Sequence, residues 1–218
     1  LTARQAQTIV GLGARPASRV MFLFDEATIG GVLGAFADEA RALGLFLPPT
    51  GERFDRMGEL LALARRMWDG DESPYEGRYY RAEHPIGRPL PIRRPPVLIG
   101  GTGERRTLRM VAEYADACNL FDIPNGDSVI RRQLDTLKRH CAEIGRPPEE
   151  IERTLTTALT PGETADDLAE RCRNLAGLGI EHIVVIARGR PWTPTELDVV
   201  VRAAGQLARV SASARAHR

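Results

Sequence analysis

Residues Arg94 to Phe121 read RPPVLIGGTGERRTLRMVAEYADACNLF, and their pattern is the clearest indication of the fold. The apolar run Pro96–Ile99 is typical of a strand, and it leads directly into Gly100-Gly101-Thr102-Gly103. Apolar residues then recur at helical spacing, and a second apolar run, Ala117–Phe121, follows. A strand, a glycine-rich turn, a helix and another strand make a βα unit, which predicts a parallel sheet.

The same alternation of apolar runs and helical periods continues on both sides of this unit. It predicts five strands, at Arg19–Phe24, Pro96–Ile99, Ala117–Phe121, within Glu152–Leu159 and at His182–Ile186. We therefore expect an α/β protein of the TIM-barrel type, one domain over residues 1–218, with about five parallel strands. Eight units of this size would need about 300 residues. The barrel is thus expected to be incomplete or truncated, with its three N-terminal βα units absent.

Helices and loops fill the intervals between these strands. A helical period ends at Gly44, and Thr50 is predicted to cap a helix that continues to Trp68, a residue we interpret as a packing anchor. Residues 69–96 are too polar and too rich in proline for a core, so we expect a lid-like insertion over the open end of the barrel. We further expect a short helix over Leu1–Leu12, a helix cap at Ser128 and a helix that begins near Thr164.

Composition narrows the classes of partner and compartment. The chain has 30 basic and 29 acidic residues, which argues against nucleic acid or a membrane and favours a small-molecule substrate. Cys118, Cys141 and Cys172 lack metal-ligand spacing, and so do His140 and His182, so we expect buried structural thiols and no metal site. With neither a long apolar run nor a signal-peptide pattern, a cytoplasmic protein is expected.

The glycine loop, Gly100–Gly103, is the best candidate for chemistry. A helix beginning near Glu104 presents unpaired backbone N–H groups at its positive end, and glycine lets phosphate oxygens approach closely. Thr102 can add a hydroxyl donor, and Arg105 or Arg106 can add positive charge. The dinucleotide fingerprint does not match, because it requires glycine where Arg106 stands. A tight glycine-capped βα turn explains the same residues, so both interpretations stay open at this point.

The stretch Arg94–Phe121 closely resembles the segment around the fifth and sixth strands of luciferase-like monooxygenases, especially the subgroup linked to the deazaflavin coenzyme F420. Two flanking stretches resemble the same family, namely Glu52–Met57 with Met67-Trp68, and Cys141–Arg153. The resemblance covers roughly residues 34–210. It implies a barrel enzyme that uses F420 or FMN in an oxidoreductase or monooxygenase reaction on a small organic substrate.

The resemblance also implies where the cofactor lies. Its phosphate is expected at Gly100, Gly101, Thr102 and Gly103, and its ring near Asn119, Leu120 and Phe121. Covering the open sheet edges of an incomplete barrel would favour a homodimer.

Departures from the family pattern leave the catalytic residues unassigned. The first three strands, which contribute ring and substrate contacts in the family, have no counterpart, so a non-catalytic flavin-binding protein or a partner subunit is the alternative function. Asp25 and Glu26 could handle protons or be solvated loop charges. His84 could reach a substrate or be an exposed loop residue. Arg188-Gly189-Arg190 could assist phosphate binding or be a polar βα loop.

Overall fold

The computed structural model describes residues 10–12, 22–25, 41–122, 126–187 and 191–216. Backbone contacts divide the chain into two compact units. The first unit comprises Leu1–Ala17, Asn119–Asp135 and Glu152–Arg218, and the second comprises Ser18–Cys118 and Thr136–Ile151. One strand and one helix, Ala117–Phe121 and Gly126–Glu143, run from one unit into the other.

Strands and helices alternate along the described chain. The strands are β1 (Val10–Leu12), β2 (Phe22–Asp25), β3 (Tyr75–Glu76), β4 (Arg81–Ala82), β5 (Val97–Gly100), β6 (Ala117–Phe121), β7 (Glu152–Ala158) and β8 (His182–Ile186). The helices are α1 (Thr50–Trp68), α2 (Thr107–Tyr114), α3 (Gly126–Glu143), α4 (Ala165–Gly177) and α5 (Pro194–Ala216), with a 3₁₀ turn at Pro148–Glu150. All five predicted strands are confirmed, those at 117–121 and 182–186 with the predicted bounds.

The second unit is built on the parallel pair β2 and β5, in which Phe22 lies opposite Val97 and Asp25 opposite Gly100. Every residue of β5 is buried. Its core combines side chains from α1, β5, α2, β6 and α3 with one residue after α2 and one after the 3₁₀ turn: Leu61, Val97, Ile99, Met110, Val111, Ala112, Ala115, Cys118, Leu137, Cys141 and Ile151. Trp68 packs against this cluster, which confirms its interpretation as a packing anchor.

Two arginines hold the C-terminal end of α2. Arg65 Nη2 donates to the Tyr114 carbonyl at 2.6 Å and Nη1 donates to the Glu113 carbonyl at 3.3 Å. Arg146 Nη1 donates to the Ala112 carbonyl at 2.9 Å. These carbonyl groups have no partner within a helix, and cations at this end also oppose the negative pole of the helix dipole. The helix that follows the glycine loop is therefore fixed at its far end.

The insertion over residues 69–96 packs on α1. Glu59 of α1 accepts hydrogen bonds from the backbone N–H groups of Arg78, Tyr79 and Tyr80, at 2.5, 2.7 and 2.9 Å. These three residues form the turn between β3 and β4. The proline-rich part also lies on α1, because a Cβ at Gly87 would come within 2.8 Å of the Met67 carbonyl oxygen. That the insertion covers the open end of a barrel remains a prediction.

In the first unit, β7 and β8 run parallel, with Thr154 opposite His182 and Ala158 opposite Ile186. Strand β1 pairs antiparallel with β8, Val10 lying opposite Val185. The predicted helix over Leu1–Leu12 is therefore wrong for Val10–Leu12; its other residues lie outside the described ranges. These three residues satisfy backbone groups that β8 would otherwise expose at a sheet edge.

The helix ends test the predicted caps. Helix α4 begins next to Thr164, as predicted. Thr164 Oγ1 accepts from Asp167 N at 3.2 Å, and the reciprocal bond completes a capping box. At α1 the prediction is wrong, because Thr50 Oγ1 accepts from the Arg53 guanidinium at 2.9 Å and caps no backbone N–H group. A charged donor from within the helix has replaced the backbone partner. Ser128 lies inside α3, which begins at Gly126, so that cap is also wrong.

Candidate functional site

The glycine loop follows β5 at the carboxyl end of the strand. Gly100 and Gly101 are buried, whereas Thr102 and Gly103 are half-buried. Gly101 has a φ of +137°, a backbone conformation that residues with a side chain rarely adopt. The path of the chain from β5 into α2 therefore requires glycine at position 101.

The loop leaves several backbone donors open. Within the described part of the chain, the N–H groups of Thr102, Gly103 and Arg105 donate to no backbone carbonyl, whereas Leu108 N donates to Gly103 O at 3.0 Å. At the N-cap of α2, Arg106 makes no side-chain capping bond, and the first helical turn carries no acidic residue. Open N–H groups at the positive end of a helix favour an anion.

A buried hydroxyl group at the start of α2 also lacks a partner. Thr107 is only 1% exposed, and its Oγ1 forms no hydrogen bond with the rest of the described chain. An unpaired buried hydroxyl costs free energy, and such groups are uncommon in folded proteins. A bound group that brings acceptor oxygens to the head of α2 fits this arrangement.

The two arginines predicted to supply charge have different roles. Arg106 Nη1 donates to Gly51 O at 2.9 Å and lies 3.5 Å from Asp55 Oδ1, so this side chain fastens the loop to the first turn of α1. Arg105 is exposed and makes no ion pair within the described residues. Arg105 is therefore the cation left for an anionic ligand.

A buried histidine of α3, for which the sequence predicts no role, contacts the turn after the glycine loop. His140 of α3 is 9% exposed, and its Nε2 lies 2.8 Å from the Glu104 carbonyl oxygen. Its Nδ1 lies 3.3 Å from Glu143 Oε2. The helical period of α3 could have signalled it, because position 140 adjoins the buried Cys141, but a contact with residue 104 is not visible from spacing.

Asp25 and Glu26 are the two acidic candidates at the end of β2. The register of β2 with β5 sets Asp25 opposite Gly100, next to the start of the glycine loop. Glu26 lies outside the described residues. Whether either carboxylate handles protons stays a prediction.

The segment expected to contact the cofactor ring belongs to the first unit from Asn119 onward. The Asn119 amide is buried, and its Oδ1 accepts from Thr154 Oγ1 at 2.9 Å. Thr156 Oγ1 lies 3.0 Å from Asn119 Nδ2 and 3.2 Å from Oδ1. Leu120 is 1% exposed and Phe121 is half-buried. The threonines of β7 thus fix the Asn119 side chain on its strand.

A charged network closes the carboxyl end of β7. Arg171 of α4 forms two hydrogen bonds of 2.8 Å with the Glu163 carboxylate, and its Nη1 lies 3.1 Å from Asp122 Oδ2 and also contacts Thr157 Oγ1. Burial lowers the Arg171 pKa, but the two carboxylates outweigh it and the pKa is raised. A cavity of about 320 Å³ beside this network is lined mainly by charged side chains, including Asp127, Asp167 and Glu170.

The other predicted candidates are not placed near the glycine loop by any described contact. His84 is exposed on the insertion, and Arg188-Gly189-Arg190 lies outside the described ranges. Cys118, Cys141 and Cys172 are buried free thiols, as predicted, and burial raises the pKa of Cys141 and of Cys172. The described residues contain no group of three or more metal-ligating side chains, and none of the described helices is long and apolar enough to cross a membrane.

Comparison with known proteins identifies the family. The family model for luciferase-like monooxygenases matches residues 27–216, so the chain belongs to the luciferase-like monooxygenase family. An F420-dependent glucose-6-phosphate dehydrogenase of Microbacterium testaceum (strain StLB037) is 25% identical over 152 residues, which are 68% of this chain and 45% of the relative. An FMNH2-dependent dimethylsulfone monooxygenase of Pseudomonas fluorescens (strain Pf0-1) is 30% identical over 113 residues, 51% of this chain and 30% of the relative. The chain thus spans less than half the length of these relatives.

Solved structures show the same fold. The EDTA monooxygenase of Chelativorans sp. BNC1 gives a TM-score of 0.62 at 14% identity, over 78% of this chain and 62% of that one. An F420-dependent secondary alcohol dehydrogenase, solved with an F420-acetone adduct, gives a TM-score of 0.61 at 13% identity, over 72% of this chain and 64% of that one. These likenesses confirm the predicted fold class, an α/β chain of the TIM-barrel type.

Proposed function

We propose that this chain binds the phosphate of FMN or F420 on the glycine loop and on the first turn of α2. It does so as part of a flavin- or deazaflavin-dependent oxidoreductase or monooxygenase that acts on a small organic substrate. One observation carries the proposal: the open N–H groups of Thr102, Gly103 and Arg105 lie beside the unpaired, buried Thr107 hydroxyl in sequence, at an uncapped helix start.

Each residue of this site has a separate task. The backbone N–H groups donate to phosphate oxygens, and Gly101 allows the chain to turn without a Cβ in the way. The hydroxyl groups of Thr102 and Thr107 add donors, and Arg105 supplies a positive charge that phosphate attracts even through solvent. Arg106 contributes by fastening the turn to α1.

The bound ring would supply hydride transfer or, with reduced FMN, oxygen activation. The relatives named above use F420 or FMNH2, which supports this pair of cofactors. Contact of the ring with Asn119, Leu120 and Phe121 remains a prediction, as do a homodimer and a cytoplasmic location. No catalytic residue is assigned.

Titration of the purified chain with FMN and with F420, followed by fluorescence, tests the proposal. We expect at least one of them to bind at micromolar concentration or below. Gly101→Val should weaken that binding about 100-fold, because a β-branched residue cannot hold the φ of +137° without about 3 kcal/mol of strain.

Gly162→Ala is the matched control. Gly162 also has a positive φ, +80°, and a Cβ there would meet nothing within 4 Å. Alanine there should cost less backbone strain than valine at position 101 and leave cofactor affinity unchanged. If neither cofactor binds, or if Gly101→Val and Gly162→Ala behave alike, the phosphate site is wrong. Binding without turnover of any substrate would favour a non-catalytic flavin-binding protein.

A further inference from the structure

A buried imidazole connects α3 to the turn between the glycine loop and α2. His140 Nε2 lies 2.8 Å from the Glu104 carbonyl oxygen, 36 residues away in the chain. A carbonyl oxygen only accepts hydrogen bonds, so Nε2 is the nitrogen that carries the hydrogen. With the ring 9% exposed, few water molecules could replace this donor.

This hydrogen bond fixes one peptide plane. The peptide that joins Glu104 to Arg105 is planar and trans, so its C=O and N–H groups point in opposite directions. Holding the Glu104 carbonyl toward α3 turns the Arg105 N–H away from α3. The Arg105 N–H is one of the donors that the described chain leaves open.

We propose that His140 is a positioning residue of the phosphate site: its hydrogen bond to Glu104 O orients the Arg105 N–H and sets how tightly the cofactor phosphate binds. This inference rests on the proposed function of the glycine loop. His140 itself touches neither phosphate nor ring. It acts through the Glu104–Arg105 peptide, and Glu143 Oε2 lies 3.3 Å from its Nδ1.

Packing behind His140 makes such a role possible. The neighbouring Cys141 is 0% exposed and Leu137 is 2% exposed, and both belong to the core of the second unit. The backbone of α3 at this point is therefore held by the core, while the imidazole reaches the turn. A rigid donor restricts the turn before the ligand arrives, which lowers the entropy lost on binding.

The test compares FMN with riboflavin, which has the same ring and lacks the phosphate. The ratio of the two affinities isolates the contribution of the phosphate. His140→Leu removes the imidazole donor from the Glu104 carbonyl, and we expect FMN binding to weaken roughly tenfold while riboflavin binding changes less than about twofold. His140→Gln should keep most of the preference for FMN, because its amide nitrogen can donate from nearly the same place as Nε2.

Two further variants keep the test decisive. His140→Asn retains a polar amide that is too short to reach Glu104 O, so it should lose the preference as His140→Leu does, and it replaces that variant if the leucine does not fold. Arg139→Gln changes the exposed neighbouring residue of α3 and should leave both affinities unchanged.

Three results would overturn the inference. In the first, His140→Leu and His140→Asn keep the full preference for FMN. In the second, they weaken FMN and riboflavin equally, which would mean that His140 only supports the fold. In the third, the wild-type chain binds FMN and riboflavin with equal affinity, and then the proposed phosphate site fails as well; in the first two results that site stands and only the role of His140 is lost.

Discussion

Two turns of the second unit each present a row of backbone N–H groups, and only one row is filled. In the turn between β3 and β4, the N–H groups of Arg78–Tyr80 all donate to the Glu59 carboxylate. In the glycine loop and the turn after it, the N–H groups of Thr102, Gly103 and Arg105 donate to no backbone carbonyl in the described chain. The protein thus provides its own anion for the first turn. The second turn is left for an anion from outside, and this contrast is the basis of the proposed phosphate site.

The first unit also contains charged groups that the protein pairs with its own side chains, at the carboxyl end of β7. Arg171→Leu should remove the cation shared by Glu163 and Asp122, whose side chains are 8% and 23% exposed. We expect a loss of about 3 kcal/mol in the free energy of unfolding, measured by urea denaturation, because two partly buried carboxylates lose their partner. Affinity for FMN should change little.

Arg173→Leu is the matched control for Arg171. It is an exposed arginine of the same helix, and its replacement should alter stability by less than about 0.5 kcal/mol. If Arg171→Leu stays folded but no longer prefers FMN over riboflavin, the anion site does not lie at the glycine loop.

Emptying the filled turn is the second test. Glu59→Ala should leave the N–H groups of Arg78, Tyr79 and Tyr80 without their acceptor and cost about 2 kcal/mol of unfolding free energy. Faster hydrogen exchange at these three amides would locate the effect. Glu76→Ala, an exposed carboxylate on β3, is the control and should change neither quantity. Loss of FMN binding in Glu59→Ala would show that the two turns are not independent.

The smallest expected effect belongs to the exposed cation beside the open donors. Arg105→Gln should weaken FMN binding about threefold at low salt, because an exposed charge contributes well under 1 kcal/mol and is screened by ions. The difference from wild type should shrink as salt is added. Arg109→Gln, whose arginine is already paired with Glu113 at 3.0 Å, should have no effect on binding. Equal losses in the two variants would argue for a general charge effect instead of a site.

The strands could be located in the sequence because each is a short apolar run between helical periods. Ala117–Phe121 and His182–Ile186 have the predicted bounds, although β6 is buried along most of its length and β8 only at alternate residues. Val10–Leu12 could not be recognised, because an edge strand of three residues is defined by its partner β8 and carries no pattern of its own.

The glycine loop could also be found from the sequence, but the sequence could not show which of the two neighbouring arginines is free to bind a ligand. Arg105 and Arg106 are adjacent and identical, and only the contact with Gly51 and Asp55 shows that Arg106 is engaged elsewhere. The same holds for His140, whose partner lies 36 residues away. Contacts between distant residues depend on how the elements pack, and local spacing does not encode that.

The central claim is that the glycine loop binds a phosphate group, and the affinities of the wild-type chain for FMN and riboflavin test it most directly. Both ligands carry the same ring, so their difference measures what the phosphate adds. Because the phosphate would accept several charge-assisted hydrogen bonds, we expect FMN to bind at least about 30-fold more tightly than riboflavin. This difference in affinity should narrow as salt is added. Equal affinities for the two ligands would contradict the claim.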